Sequence, residues 1–419
     1  MKLIKTKIIK EQSVIIPGSK SISHRVLICA SLCQGVSVLH NLLQSEDISL
    51  TMNALSKMGV LFEKSSDNIL LVHGFKKGYP EKFTKPIYLG NSGTSLRLLA
   101  SIASLGKTKY TLTGDKRLKE RPIKELLDAL SYLGNLAESQ NKNGTAPIDI
   151  QGKNRNGGKL TIDCSKSSQY LSSLLMVGPL MEKGLDINLV KGPVSSPYID
   201  LTIDIMKKFD VKVNKISSTH FKVSGQKAYS PQHIFVEPDI SNAGYFWGVG
   251  AITGKMVSVL NINKKSYQGD LRQIELFEQM GCKIQVAKNK IGVCGRSLKG
   301  IEADMSDIPD AVPVIAVVAA FAKGKTKIIN IGHLREKECD RIDAIASGLK
   351  SMGIKTKTGD DYIIITGGKP KGNKIKTFND HRIAMAFSIT GLLIENIRIE
   401  NEYCVEKSFP NFWEVFNSL

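Results

Sequence analysis

A chain of 419 residues is too long for one compact core and predicts two domains of roughly 200 residues each. Its 58 basic residues outnumber 39 acidic ones to leave a formal net charge of +19, yet only eleven of the 58 are Arg; the diffuse lysine excess, with no helix-turn-helix, zinc finger or aromatic-laced basic stripe, excludes nucleic acid and points to small anions. The longest apolar run, Ala311 to Ala322, falls short of the ~20 residues of a membrane span, the lysine-broken start Met1-Lys-Leu-Ile-Lys predicts no signal peptide, and seven scattered Cys without a C-x-x-C pair predict reduced thiols in a cytoplasmic protein.

In chain order, six polar clusters recur about every 70 residues, each opening a helix rich in Ala, Leu, Ser and Gly. They are Pro17-Gly18-Ser19-Lys20-Ser21, Gly90-Asn91-Ser92-Gly93-Thr94, Ser165-Lys166-Ser167-Ser168-Gln169, Asp239-Ile240-Ser241-Asn242, Ile308-Pro309-Asp310-Ala311 and Asn379-Asp380-His381-Arg382. All but the last of these helices run to a glycine (Gly35, Gly106, Gly184, Gly254, Gly324), and strand-like runs such as Thr326-Lys-Ile-Ile-Asn follow. A second helix follows in each copy, with C-terminal stops at Gly59, Gly134, Asp210, Gly281 and Gly353. Its starts fall at Arg121-Pro122, Pro197-Tyr198, Gly269-Asp270, Asp340-Arg341 and Pro410-Asn411. The copy therefore reads strand, helix, strand, helix, strands, repeated six times.

Helix N-termini carry unpaired N–H groups and a partial positive charge, so twelve of them around one cleft would trap anions. Six of the scarce arginines, Arg25, Arg97, Arg121, Arg335, Arg341 and Arg382, lie in or beside the clusters, where a planar fork grips carboxylate and phosphate. Gly18-Ser-Lys20-Ser21 lacks the first glycine of a P-loop, because position 13 is Ser13, and no Rossmann glycine pattern follows a strand. Nucleotide phosphate transfer is thereby disfavoured. No His, Cys and carboxylate set has metal spacing, so no metal and no cofactor is expected.

The series Pro17-Gly-Ser-Lys-Ser, Leu89-Gly-Asn-Ser-Gly-Thr, Lys119-Glu-Arg-Pro, Ser167-Ser-Gln, Ser195-Ser-Pro-Tyr, Ile308-Pro-Asp-Ala, Lys337-Glu-x-x-Asp-Arg341 and Asn379-Asp-His-Arg resembles the signature series of the EPSP synthase family of enolpyruvyl transferases, in order and over the whole chain. The resemblance implies transfer of the enolpyruvyl group of phosphoenolpyruvate to the 5-hydroxyl of shikimate 3-phosphate with release of phosphate, on the way to aromatic amino acids. It also implies a two-domain inside-out α/β barrel, each domain three copies of a βαβαββ unit. The chain would cross between domains near Gly18 and near Glu237-Pro238. Residues 1–17 with 237–419 then form the domain holding both termini and 18–236 the other, with the active site in the cleft between them.

By the same resemblance shikimate 3-phosphate is assigned to Lys20, Ser21, Arg25, Ser167, Ser168, Gln169, Ser195, Tyr198, Asp310, His333 and Lys337. Phosphoenolpyruvate is assigned to Lys20, Asn91, Gly93, Arg121, Gln169, Arg341, Arg382 and Lys407. One carbon must gain a proton while a hydroxyl loses one, which requires an acid and a base. Asp310 is the expected base, Glu338 the expected acid, and Lys20 is able to share in proton transfer. His381 reads as an orienting residue. The chain departs from the family pattern at His333, where Asn is usual, at Leu98, where Pro is common, and at Gly244, where a small polar residue is usual. Two alternatives stay open. The sister transferase acting on UDP-N-acetylglucosamine carries a Cys where this chain has Arg121, and a non-catalytic polyanion binder would need none of the acid–base pair. The expected protein is a monomer with small anionic partners, free of nucleic acid and membrane.

Overall fold

The computed structural model describes residues 1–82 and 85–419. The chain divides into two compact units, residues 18–236 and residues 1–17 with 237–419.

In residues 18–236 three repeats each supply two helices: α1 (Lys20–Leu32) and α2 (Glu46–Met58), α3 (Gly93–Ala103) and α4 (Lys124–Tyr132), α5 (Gln169–Val177) and α6 (Pro197–Lys208). The first helix of each pair is buried on every side. In α1, α3 and α5 only Ser21, Thr94 and Gln169 escape full burial, and all three stand in the first turn. Small residues let these helices approach closely, as Ser101 Oγ donating to Ser173 Oγ at 2.9 Å between α3 and α5 illustrates. The second helices are amphipathic. In α2 the buried positions are Asp47, Ile48, Thr51, Ala54, Leu55 and Met58, the stripe of a helix with one face in the core. Their stops are left-handed residues, Gly134 at φ 88° after α4 and Asp210 at φ 64° after α6, the second tolerable because a short Asp side chain can enter that region.

Each repeat closes with a small sheet outside its helices. In the second repeat Ile87–Tyr88 runs parallel to Tyr110–Thr113, followed by antiparallel Ile148–Gln151 and Leu136–Ser139. The third repeat pairs Gly158–Asp163, Leu185–Lys191, His220–Val223 and Val213–Lys215 in the same pattern. The first repeat takes its parallel edge strand, His233–Phe235, from beyond the third repeat, where it lies against Val36–His40.

The other unit carries α7 (Ile240–Thr253), α8 (Gln273–Gln279), α9 (Val312–Ala319), α10 (Arg341–Ser351), α11 (His381–Ser388) and α12 (Phe412–Asn417), making twelve α-helices among the described residues. Its first sheet borrows Gln12–Val14 as the parallel partner of Val257–Leu260. Its last sheet has three strands. Lys374–Ile375 is parallel to Arg398–Ile399, and Lys2–Leu3 supplies the antiparallel strand where the other five sheets have a hairpin. The sixth copy thus departs from the βαβαββ pattern. Helices α7, α9 and α11 form the buried centre, and Trp247 is fully enclosed with its indole N–H on the Ile291 carbonyl at 2.9 Å. The fold is mixed α/β, six small sheets around buried helices.

Candidate active site

In residues 18–236 the polar groups gather at the first turns of the helices. Ser19 caps α1 by accepting from the Ile22 N–H. Lys20, next in sequence, is buried with its ammonium 3.2 Å from Asp47 Oδ2 in the first turn of α2. Arg25, one turn further on, donates from Nε to Thr202 Oγ1 at 2.7 Å, from Nη1 to the Ser21 carbonyl at 3.0 Å, and from Nη2 to Ser172 Oγ and the Tyr198 carbonyl at 3.3 Å each. Burial pulls its guanidinium down to about 10, which leaves it charged at neutral pH. Its cationic carbon also sits 5.9 Å from the centre of the Tyr198 ring. Ser195, left-handed at φ 54° and buried, turns the chain into α6.

Gln169, preceded by the buried pair Ser167 and Ser168, bridges two helices. Its amide nitrogen donates to Thr94 Oγ1 at 3.0 Å and its amide oxygen accepts from Arg97 Nη1 at 3.1 Å. Arg97 Nη2 reaches the Pro122 carbonyl at 3.0 Å, which also accepts from the Tyr170 hydroxyl at 2.8 Å. These bonds fix the segment that carries Arg121. Pro122 holds Arg121 in an extended conformation (φ −80°, ψ 130°), and its Nη1 donates to the Asn91 carbonyl at 3.3 Å. The guanidinium lies over Gly93, where an added Cβ would fall 2.4 Å from Arg121 Cζ. A side chain at 93 would therefore have to displace the cation.

In the other unit the charged groups pack against one another. Asp310 stands in a 3-10 turn, Pro309–Ala311, just before α9, and not in the helix itself. Its Oδ1 accepts from Arg341 Nη1 at 2.8 Å and its Oδ2 from Arg382 Nη2 at 2.7 Å. Arg341 Nη2 also donates to Glu338 Oε2 at 2.8 Å, and its Nε to Asp380 Oδ2 at 2.8 Å. One buried guanidinium thus binds three carboxylates. Burial alone would lower its affinity for its proton, but Asp380, Glu338 and Asp310 together raise it well above the ordinary value. Asp380 also caps α11 by accepting from the Arg382 N–H at 2.8 Å.

Asp270 receives the Ser241 hydroxyl at 2.9 Å; burial first, then the nearby Asp310 charge, pushes its carboxyl up to about 7. His333 lies in the turn Gly332–Glu336, where burial and then the Lys337 ammonium hold its imidazole down to about 3. Lys407 is buried in the turn Glu402–Lys407 that precedes α12. His381 is fully buried at the start of α11.

The structure thus joins Ser21, Arg25 and Tyr198; Ser167 and Gln169; Asn91, Gly93 and Arg121; and Asp310, Glu338, Arg341 and Arg382. The carboxylate partners Asp47, Asp380 and Asp270 were not among the expected site residues. Asp380 was within reach, since it stands inside the Asn379-Asp-His-Arg cluster, and Asp270 marks a second-helix start; Asp47 carries only the signature of an acidic first turn. Among the described residues no group of three or more His, Cys, Asp and Glu is placed to hold a metal, and no helix is long and apolar enough to cross a membrane. Fixed cations beside hydrogen-bonded carboxylates suit anionic substrates that exchange protons.

Known proteins are similar to this chain over nearly their whole length. The family model described as EPSP synthase (3-phosphoshikimate 1-carboxyvinyltransferase) matches residues 7–416. The 3-phosphoshikimate 1-carboxyvinyltransferase of Buchnera aphidicola subsp. Cinara cedri is 42% identical over 408 residues, covering 96% of this chain and 94% of that protein. Its counterpart from Tolumonas auensis is 41% identical over 417 residues, covering 98% and 96%. A solved EPSP synthase from Acinetobacter baumannii superposes with a TM-score of 0.81 at 30% identity, covering 99% of this chain and 97% of that one. By sequence and by fold together, the chain belongs to the EPSP synthase family.

Proposed function

We propose that Asp310 and Glu338 carry the proton transfers of this family's reaction, with Lys20 able to share in them. The enzyme transfers the enolpyruvyl group of phosphoenolpyruvate to the 5-hydroxyl of shikimate 3-phosphate and releases phosphate. Asp310 takes the hydroxyl proton as the oxygen attacks the central carbon of phosphoenolpyruvate. Glu338 delivers a proton to the methylene carbon, which becomes a methyl group. In the second half the methyl gives a proton back, the carbon–oxygen bond to phosphate breaks, and the double bond re-forms.

The observation that carries this reading is the bridge through Arg341, which holds Asp310 and Glu338 on two nitrogens of one guanidinium at 2.8 Å each. An acid and a base that must act on neighbouring atoms are thereby kept a few ångströms apart, with a cation beside them for the developing charge. In this reading Lys20, Ser21, Arg25, Ser167, Ser168, Gln169, Ser195, Tyr198 and Asp310 hold shikimate 3-phosphate together with His333 and Lys337. Lys20, Asn91, Gly93, Arg121, Gln169, Arg341, Arg382 and Lys407 hold phosphoenolpyruvate. The seven free cysteines suit a reducing compartment, the cytoplasm, and the enzyme is taken as a monomer.

The test is release of inorganic phosphate from phosphoenolpyruvate with shikimate 3-phosphate, with UDP-N-acetylglucosamine, or with no acceptor. Release with shikimate 3-phosphate alone is the expected result; release with the UDP-sugar alone would assign the chain to the sister reaction.

A further inference from the structure

Four buried polar side chains outside the proposed anion contacts form a continuous line from α1 across α2 to the cap of α3. His24 Nδ1 lies 3.0 Å from Thr51 Oγ1, Thr51 Oγ1 lies 2.7 Å from Ser95 Oγ, and Ser95 Oγ lies 2.6 Å from Ser92 Oγ. All four are shielded from solvent. Thr51 Oγ1 also reaches the Asp47 carbonyl at 3.1 Å, a bond in which the hydroxyl must be the donor.

Proton counting then fixes every other direction. With its single hydrogen on the Asp47 carbonyl, Thr51 accepts from the Ser95 hydroxyl and from His24, whose proton is therefore on Nδ1. Ser95, having donated, accepts from the Ser92 hydroxyl, and Ser92 Oγ accepts from the Ser95 N–H at 3.4 Å as the cap of α3. No other assignment satisfies these five contacts. Apolar residues of the same shapes would fill this space with little change in stability, so what the network supplies is geometry.

That geometry leads to the anion contacts. Ser92 sits between Asn91, whose carbonyl holds Arg121, and Gly93, over which the Arg121 guanidinium lies. Asp47, one helical turn before Thr51, holds Lys20. We propose that Thr51 is a positioning residue for phosphoenolpyruvate: through Ser95 and Ser92 it fixes the turn on which Arg121 rests, in register with the Lys20 ammonium held by Asp47. This rests on the assignment of Lys20, Gly93 and Arg121 to phosphoenolpyruvate made above.

Two substitutions separate the role from mere packing. Thr51→Val keeps the shape and removes the acceptor of both the Ser95 hydroxyl and the His24 N–H, whereas Thr51→Ser keeps the hydroxyl. The KM for phosphoenolpyruvate should rise about 10-fold in Thr51→Val, the scale of leaving a buried donor unpaired, while binding of shikimate 3-phosphate alone stays within about twofold and Thr51→Ser behaves as the parent. In parallel, NMR of ¹⁵N-histidine-labelled protein should show His24 protonated on Nδ1, identified by its absence in His24→Asn, with the signal shifted in Thr51→Val and retained in Thr51→Ser. A phosphoenolpyruvate KM unchanged in Thr51→Val, an equal loss for both substrates, or a His24 proton on Nε2 would each overturn the proposal. Absence of any turnover in the parent would sink the underlying activity, and the role with it, a result distinct from all three.

Discussion

In residues 18–236 the buried Arg25, Arg97 and Arg121 lie on neutral oxygens: the hydroxyls of Thr202 and Ser172, the amide of Gln169, and the backbone carbonyls of Ser21, Tyr198, Pro122 and Asn91. In the other unit Arg341 lies on Asp310, Glu338 and Asp380, and Arg382 shares Asp310. The titration behaviour follows the partners. Burial pulls Arg25 down to about 10, whereas Arg341, just as deeply buried, is raised well above its ordinary value once three carboxylates outweigh burial. A guanidinium oriented by neutral acceptors keeps its full charge for an incoming phosphate, while one surrounded by carboxylates is already balanced and serves to hold those carboxylates in place. The first arrangement suits binding of an anion and the second suits proton transfer.

The sharpest break of this contrast is a matched pair of substitutions. Arg341→Met should cost about 3–5 kcal/mol of folding stability, because it leaves buried carboxylates without their cation. Arg25→Met should cost less, about 1–3 kcal/mol, since only neutral acceptors lose a donor, with its larger effect on shikimate 3-phosphate affinity. Urea unfolding of both variants would decide, and equal losses would erase the distinction. Within residues 18–236, Arg121→Ala should weaken phosphoenolpyruvate and the transition state by roughly 2–4 kcal/mol while shikimate 3-phosphate alone still binds, as titration calorimetry would report. Gly93→Ala should act in the same direction and less strongly, because its Cβ moves the Arg121 guanidinium aside without removing it.

The last effect is in pH. The folded protein holds His333 neutral down to about 3, while the unfolded chain takes up a proton near the ordinary 6.5. Its contribution to stability is therefore present above pH 6.5 and lost progressively as pH falls from there towards 3. The stability of the parent relative to His333→Asn should decline over that window and stay level above it. A difference independent of pH would show that His333 is exposed enough to titrate normally.

Local chemistry was legible in the sequence where it is written in single residues. Ser19, Ser92, Asp239, Asp340 and Asp380 each cap the helix they precede, and even Asp210 could be read as a stop because it falls where the other copies have glycine. Asp310 stands in the cluster that opens α9, in a 3-10 turn that the sequence pattern did not distinguish from the helix. Strand pairing was less legible. The period of about 70 residues marks where strands recur, but nothing in it says that Val36–His40 takes its parallel neighbour from His233–Phe235, or that Lys2–Leu3 completes the sixth sheet. Such partners are far apart in sequence, and several are only two or three residues long. The carboxylate that holds Lys20 was hidden for another reason: Asp47 looks like an ordinary helix-start residue until the fold brings Lys20 to it.

The central claim is that Glu338 delivers the proton to the phosphoenolpyruvate methylene, and it is tested most directly by the reaction in D₂O. Protonation of the methylene makes a methyl group that later gives up one of its three hydrogens, so the parent should place deuterium in the vinyl group of the product. Glu338→Gln keeps the size of the side chain and an oxygen for Arg341, and should slow both deuterium entry and phosphate release by about 10²-fold or more. Deuterium entering the product at the parent rate in Glu338→Gln would contradict the account and move the acid to another residue.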